Sequence, residues 1–454
     1  MDRTTDLLSH YACDLTYDDL PQDVVHHVKR TLIDTVGCAL GGFHAEPSRV
    51  ARDLALNITC TTPSRLLGTP HSSAPDWAGF ANGAAVRYLD YNDSYFSPGG
   101  GHPSDMIPAV LALADPSGAD GRAVITAIVV AYEVFCRLSD QIVTGELGWD
   151  QGMLSVIGAV CGAGKALGLD HEAMGHAISL ASVSNLPLGV VRVGELSMWK
   201  GCAAANATRA AIFAAQLAQR GMTGPEAPFE GRRGLWQQAV GKAVDMPPFN
   251  HDATGFRITS NIFKFYPAQI HTQAPISLAM DLRPQVDVSE IAAIHLRTYR
   301  TAASSAATEP EKWAPKTRET ADHSIPYLVA YAFQHGAVTP HSFAEAYLQD
   351  PNVRRLIGTM KIEEDADFTR RFSDEYNCHM TVTTTSGQRL TAAVSHPKGF
   401  PRHPLTDAEV ETKFRGLAYE VLTEAQIQAA LDSLWSLDQA PTLTALFDRV
   451  ILTS

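Results

Sequence analysis

Residues 21–40, PQDVVHHVKRTLIDTVGCAL, decide the class of fold. Apolar side chains recur at Val24, Val25, Val28, Leu32, Val36 and Leu40, the three-and-four spacing that lines one face of a helix. Asp18 and Asp19 precede the pattern, Pro21 suits a first helical turn and Gly41-Gly42 follow, so both ends are marked. Working outward, the same reading predicts helices over 72–88, 106–114, 123–138, 153–167, 171–184, 200–221 and 269–280. The first 280 residues carry almost no strand signal. Afterwards the texture changes: 289–299 and 378–394 alternate and are rich in β-branched residues, with Ser386-Gly387 as a hairpin turn, while 324–335 is again helical. A Pro/Gly-rich break, HPKGFPRHP at 396–404, precedes two closing helices. The expectation is a mainly α protein: a large helical domain over 1–268, a smaller α+β domain over 269–395, and helices over 396–454 that return to the first domain.

Bulk composition narrows the function. Hydrophobic residues make up 45% of the 454 and charged ones 19%, a globular balance. Net charge is −13, a field that repels nucleic acid and anionic membranes, so an acidic ligand has to be met by locally clustered cations. The seven cysteines are scattered and never form C-x-x-C, which reads as reduced thiols in a cytoplasmic setting and no zinc knuckle. The N-terminus lacks the basic start and apolar run of a signal peptide. The most apolar stretch, 123–138, contains Glu133 and falls short of the roughly 20 residues that cross a bilayer.

Several motifs fail. GAVCGAGKALG at 158–168 imitates a phosphate loop, but Ala159 stands where that loop needs glycine and Ala166 where it needs a hydroxyl, so it reads as a glycine-rich packed helix. There is no H-E-x-x-H, no G-x-S-x-G and no dinucleotide fingerprint, and the isolated cysteines do not suit an iron–sulfur hydratase.

Three places survive. LDYNDSYFSPGGGHPSD at 89–105 groups Asp90, Asn92, Asp93 and Ser94 ahead of three glycines that let backbone approach a ligand, and delivers His102 just beyond. The plain alternative is a capped loop whose aspartates bond local amides. Lys200 opens a helix of small residues, and Lys264 lies among apolar and aromatic neighbours with His271 shortly after; a lysine so placed ordinarily extends its amine to water.

Four strings in order, LDYNDSYFSPGGGHPSD, SMWKGCAAANATRAAIFAAQLAQRGMTGPEAPFEG, FKFYPAQIHTQ and KTRETADHSIPYLVA, resemble the motifs of the MmgE/PrpD family, and the likeness continues through GFPRHPLTDAEVETKF. That family includes 2-methylcitrate dehydratase, cis-aconitate decarboxylase and iminodisuccinate epimerase. The resemblance implies a helical domain with an α+β lid, a homodimer, and no metal or organic cofactor. Carried over by position, it puts active-site residues at Asp90, Ser94 (usually threonine), His102, Lys200, Lys264, His271 and Tyr327. Decarboxylase-type members carry a Phe-His motif where this chain has Gly148-Trp149-Asp150, and a histidine where Gln269 stands, which tilts the reading toward dehydration.

The reactions of such enzymes gather negative charge beside a substrate carboxylate, and Lys200 and Lys264 are the fixed cations available to stabilise it. His102 is the candidate base, with Asp90 orienting its imidazole. Tyr327 or His271 is the candidate acid, and the order is open. Ser94, Asp93 and His271 are expected at the substrate, and the amides around Gly100 and Gly101 are expected to cradle a second carboxylate. His323 reads as structural. The leading expectation is a dehydratase of a small polycarboxylate such as 2-methylcitrate; the alternatives are decarboxylation of cis-aconitate to itaconate, epimerisation, and a non-catalytic metabolite-binding homologue.

Overall fold

The structure is a computed structural model describing residues 1–249 and 251–452, with residues 252 and 253 followed by their backbone alone. The chain divides into two units, Met1–Val190 with Gly201–Asn261 and Thr406–Ser454, and Val191–Lys200 with Ile262–Leu405.

The first unit is helical. Its elements are α1 (Arg3–Asp14), α2 (Gln22–Gly41), α3 (Glu46–Leu56), α4 (Pro75–Tyr88), α5 (Ile107–Ser117), α6 (Gly121–Ser139), α7 (Gly152–Leu167), α8 (His171–Ser184) and α9 (Trp199–Gln219). The opening stretch forms α2, and its stripe of Val24, Val25, Val28, Leu32 and Val36 is buried. The closing helix Asp407–Ala418 packs on α2, and Lys413 Nζ lies 2.6 Å from Asp34 Oδ1 of that helix. At the centre α6 and α7 are buried on nearly all sides. The phosphate-loop lookalike forms α7, and its glycines serve packing: a Cβ on Gly158 would lie 2.7 Å from the Ala131 carbonyl oxygen, and one on Gly162 2.8 Å from that of Ala127. Only glycine lets two helices approach so closely. Two short antiparallel pairs complete the unit, β1 (Ser64–Arg65) with β2 (Ser72–Ser73) and β3 (Tyr95–Ser97) with β4 (Gly99–Gly101).

The second unit is built on a four-stranded sheet. Its strands are β5 (Ile291–Thr298), β6 (Met360–Glu364), β7 (Cys378–Thr384) and β8 (Arg389–Val394), in the order β6-β5-β7-β8. β7 and β8 are the expected hairpin, with Gly387 at a positive φ of 85° in the turn. β6 runs parallel to β5 and has no counterpart among the expected strands. Its sequence, MKIEE, sits at the sheet edge half in solvent, and its alternation spans only Met360 and Ile362 among charged residues, too brief to stand out. The helix Gln273–Leu282 covers β7 and β8, and Ile325–His335 packs against that helix.

This unit starts at Ile262 and ends at Leu405, where 269 and 395 were expected, and it takes in residues 191–200 as well. Hydrogen bonds explain the addition. Gly194 N–H donates to Glu309 Oε1 (3.1 Å), Leu196 N–H to Thr320 Oγ1 (3.0 Å) and Thr320 Oγ1 to Glu195 Oε1 (2.7 Å). Such contacts leave no periodic trace in sequence. The division therefore falls inside α9, whose Trp199 and Lys200 count with the second unit.

Candidate active site

In the first unit, residues 89–105 begin where α4 stops. Asp90 adopts a left-handed backbone, φ +50°, which short polar side chains tolerate better than most. Its amide donates to the Arg87 carbonyl (3.1 Å) and its carboxylate lies 2.8 Å from Arg87 Nη1, with both side chains buried. Asp93 is more than a loop cap. Its Oδ2 accepts from Tyr132 Oη of α6 (2.8 Å) and Asn261 Nδ2 (2.7 Å), while its Oδ1 accepts from the Ser104 amide (3.0 Å). Burial raises the Asp93 carboxyl above its ordinary range, against the lowering effect of those hydrogen bonds.

His102 is 8% exposed. Its Nδ1 lies 2.7 Å from the Asp93 carbonyl oxygen and 3.1 Å from Ser94 Oγ. A carbonyl only accepts, so the neutral ring carries its proton on Nδ1, and Nε2 keeps the basic lone pair. Asp90 Oδ1 is 3.8 Å from Nε2, beyond hydrogen-bond reach. The Asp93 carbonyl therefore holds Nδ1, while the Asp90 carboxylate stands at ion-pair distance on the Nε2 side. The three glycines differ from expectation: they form β4, paired with β3 in the register Tyr95↔Gly101, rather than an open cradle. A Cβ on Gly101 would fall 1.8 Å from Gln151 Oε1, the atom that accepts the His102 amide at 2.8 Å. Gln151 Nε2 in turn donates to Asp105 Oδ2 (3.0 Å), and Asn92 Nδ2 to Asp105 Oδ1 (2.8 Å).

In the second unit, Lys200 is 1% exposed, and its Nζ donates to both oxygens of Asp322 at 2.8 Å. The same carboxylate meets His323 Nδ1 at 2.5 Å and Arg318 Nη1 at 3.5 Å. Lys264 is fully buried. Burial first, then the nearby charges of His323 and Lys264, depress the His271 imidazole to about 3. His271 is therefore neutral near pH 7, with Nδ1 2.7 Å from Tyr299 Oη. Asp322 thus joins Lys200 to His323 by hydrogen bonds, and the buried His271 senses the charges of His323 and Lys264. Tyr327 is buried in the same unit: its hydroxyl donates to the Ser342 carbonyl at 2.5 Å and its ring packs on Tyr331 and Phe343. Burial pushes that hydroxyl well up.

Reading the sequence alone passed over Arg87, Tyr132, Gln151 and Asn261 in the first unit and Lys312 and Arg318 in the second. Asp322 and His323 were visible within KTRETADHSIPYLVA, but the carboxylate's grip on Lys200 crosses 122 positions. The departures from the decarboxylase pattern have structural employment. Trp149 Nε1 donates to the Ala239 carbonyl (2.9 Å), Asp150 caps α7 by accepting from the Gly152 amide (3.0 Å), and Gln269 Nε2 donates to Ser305 Oγ (3.3 Å).

Two family descriptions match this chain: MmgE/PrpD N-terminal domain over residues 6–246 and MmgE/PrpD C-terminal domain over 266–437. Among curated proteins, 2-methylcitrate dehydratase of Cupriavidus necator is 27% identical, the alignment covering 91% of this chain and 89% of the relative. The 2-methylcitrate dehydratase of Escherichia coli K12 is 26% identical over 84% of this chain and 82% of its own. Cis-aconitate decarboxylase of Aspergillus terreus is 23% identical over 98% and 95% respectively. With both domains matched and relatives aligned along most of their length, the chain belongs to the MmgE/PrpD family.

Proposed function

We propose that this chain is a hydro-lyase that dehydrates a small polycarboxylate of the 2-methylcitrate type, using its own acid–base groups without a metal or organic cofactor. The observation that carries the reading is the buried cluster of Lys200, Asp322, His323, His271 and Lys264. Removing a proton from carbon beside a carboxylate sends electrons toward that carboxylate. A fixed ammonium about 4 Å away is worth about 4 kcal/mol to such charge at an effective dielectric of about 20, against about 1 kcal/mol in water. Lys200 is held in orientation by Asp322, and Lys264, fully buried in the same unit, is the second cation of the proposed pair.

His102 Nε2 takes the carbon-bound proton, the released pair forms the double bond, and the hydroxyl leaves as water with a proton from a second group. His323 suits that donor role best. Its Nδ1 is held by Asp322, as in imidazoles that must carry charge, whereas His271 stays neutral and the Tyr327 hydroxyl is engaged with a backbone carbonyl. His271, Ser94 and Asp90 serve substrate binding and orientation. The dehydratase names on relatives spanning most of the chain, and the structural use of Trp149, Asp150 and Gln269, support dehydration over decarboxylation.

We propose further that the chain works as a cytoplasmic homodimer. An apolar run from Leu186 to Val190 is exposed in the monomer, with Leu188 at 59% and Val190 at 68%, and no helix among the described residues is long and apolar enough to cross a membrane. The function is tested by incubating purified protein with 2-methylcitrate, cis-aconitate and iminodisuccinate. Ultraviolet absorbance from a new conjugated double bond marks dehydration; carbon dioxide release without it marks the decarboxylase and overturns the proposal. Inertness toward the whole panel leaves a binding protein.

A further inference from the structure

Lys312 ends in an unusual setting for an ammonium. It lies in a single helical turn, Pro310–Trp313, and its side chain is 1% exposed. Among the described residues its Nζ has no hydrogen-bond acceptor. Its one ion contact there is Glu309 Oε2 at 3.7 Å, too long for a hydrogen bond, and the other Glu309 oxygen already accepts from the Gly194 amide at 3.1 Å. Lys200 differs, with two bonds of 2.8 Å to Asp322.

The location matters as much as the missing acceptor. Lys312 senses the charges of Asp322 and Lys200, so it lies beside the cluster described above; burial, opposed by Glu309 and Asp322, lowers its ammonium below the ordinary range. An ammonium has three hydrogens to donate, and burying it without acceptors is costly unless something outside the chain supplies them. An anionic oxygen does so best, because hydrogen bonds between charged partners are stronger than neutral ones. Among the described residues, the acids whose charge it senses, Glu309, Asp322 and Glu195, are each bonded to other donors: the Gly194 amide, Lys200 with His323, and Thr317 with Thr320.

We propose that Lys312 is a further substrate-binding residue, whose ammonium receives a carboxylate that the reaction leaves untouched and so selects for the number of carboxylates on the ligand. The inference rests on the polycarboxylate reading above. It makes this unit a discriminator between tricarboxylates and dicarboxylates.

The test measures binding rather than turnover. Tricarballylate, a tricarboxylate without a leaving group, and glutarate are titrated calorimetrically into the full-length wild type and Lys312→Met. The expected result is a loss of about tenfold or more in tricarballylate affinity with glutarate affinity unchanged. Lys312→Arg should recover part of the loss. Glu309→Gln, which keeps the ammonium and removes its ion contact, should retain the preference for three carboxylates. Equal tricarballylate affinity in wild type and Lys312→Met, equal losses for both ligands, or no tricarballylate binding by the wild type overturns the proposal. Should Lys312→Met not fold, Glu309→Gln decides: loss of the preference there makes the pair structural. Tricarballylate binding without turnover of any panel substrate defeats the dehydratase reading and leaves Lys312 standing, whereas turnover with unchanged binding in Lys312→Met does the reverse.

Discussion

Replacing Asp322 by asparagine keeps the shape of the side chain and removes the charge that holds Lys200. In the native protein that carboxylate takes two bonds of 2.8 Å from Lys200, one of 2.5 Å from His323, and stands 3.5 Å from Arg318. Breaking a buried ion pair by removing one partner costs about 3–5 kcal/mol, because the surviving charge stays desolvated. Asp322→Asn withdraws the carboxylate from two cations at once and belongs at the upper end of that range. Lys200→Met leaves Asp322 with Arg318 and His323 as compensation and belongs near about 3 kcal/mol. At roughly 2–4 °C per kcal/mol for a unit of this size, scanning calorimetry should show Tm falling by roughly 6–20 °C in the single variants. The double variant should lose less than the sum by about 1.5–3 kcal/mol, since the two groups touch. The effect should persist at high salt, because buried charges are screened little. Additivity within about 0.5 kcal/mol would mean that the pair is not the unit of stability and that the reasoning about Lys200 is mistaken.

Three further expectations concern single side chains. Tyr327→Phe removes one hydrogen bond to the Ser342 carbonyl and should cost about 1–3 kcal/mol of stability while kcat changes by no more than about threefold; a collapse of kcat in well-folded Tyr327→Phe would restore the tyrosine as the acid. The His271 imidazole has an unfolded pKa near about 6.5 and is depressed to about 3 when folded, so its contribution is present above about 6.5 and is lost as pH falls toward about 3. By pH 4.5 that loss is about 2–3 kcal/mol, and His271→Asn should flatten Tm against pH over this interval; an unaltered slope sinks the assignment. Gly101→Ala forces a methyl group to within 1.8 Å of Gln151 Oε1 and should cost about 1–3 kcal/mol while lowering kcat more than it raises KM. An alanine variant with wild-type kinetics would show that the Gln151 bond to the His102 amide does not govern catalysis.

How far the sequence could be read depended on whether the determining contact was local. α8 occupies 171–184 as its periodicity predicts, with Asp170 capping Ala173, because one helix turn specifies the next. α1 was not anticipated: its mean hydropathy is low, and its buried positions include Thr4, Thr5 and Ser9, which no apolar pattern marks. β6 escaped for the related reason that an edge strand is half solvated. At the site, residue types in ordered strings pointed to His102, Lys200 and Lys264, all of which the structure buries. Their partners were invisible. A carboxylate 122 positions away decides how Lys200 is held, and Lys312, in the polar string EPEKWAPK, resembles surface in every local respect. Tyr327 was marked by its string, but what its hydroxyl bonds was not, since a tyrosine on an apolar helix face has to satisfy its hydroxyl somewhere and the Ser342 carbonyl lies 15 positions on.

The double duty of Asp93 has an engineering consequence. Its backbone carbonyl fixes which nitrogen of His102 carries the proton, while its side chain is moored by Tyr132 from one helix and Asn261 from a distant segment. Basicity at Nε2 is therefore adjustable by remote control. Shortening Asn261 or blunting the Tyr132 hydroxyl would loosen the peptide that steers the imidazole, giving a designer two dials on proton transfer that leave every group facing the ligand untouched.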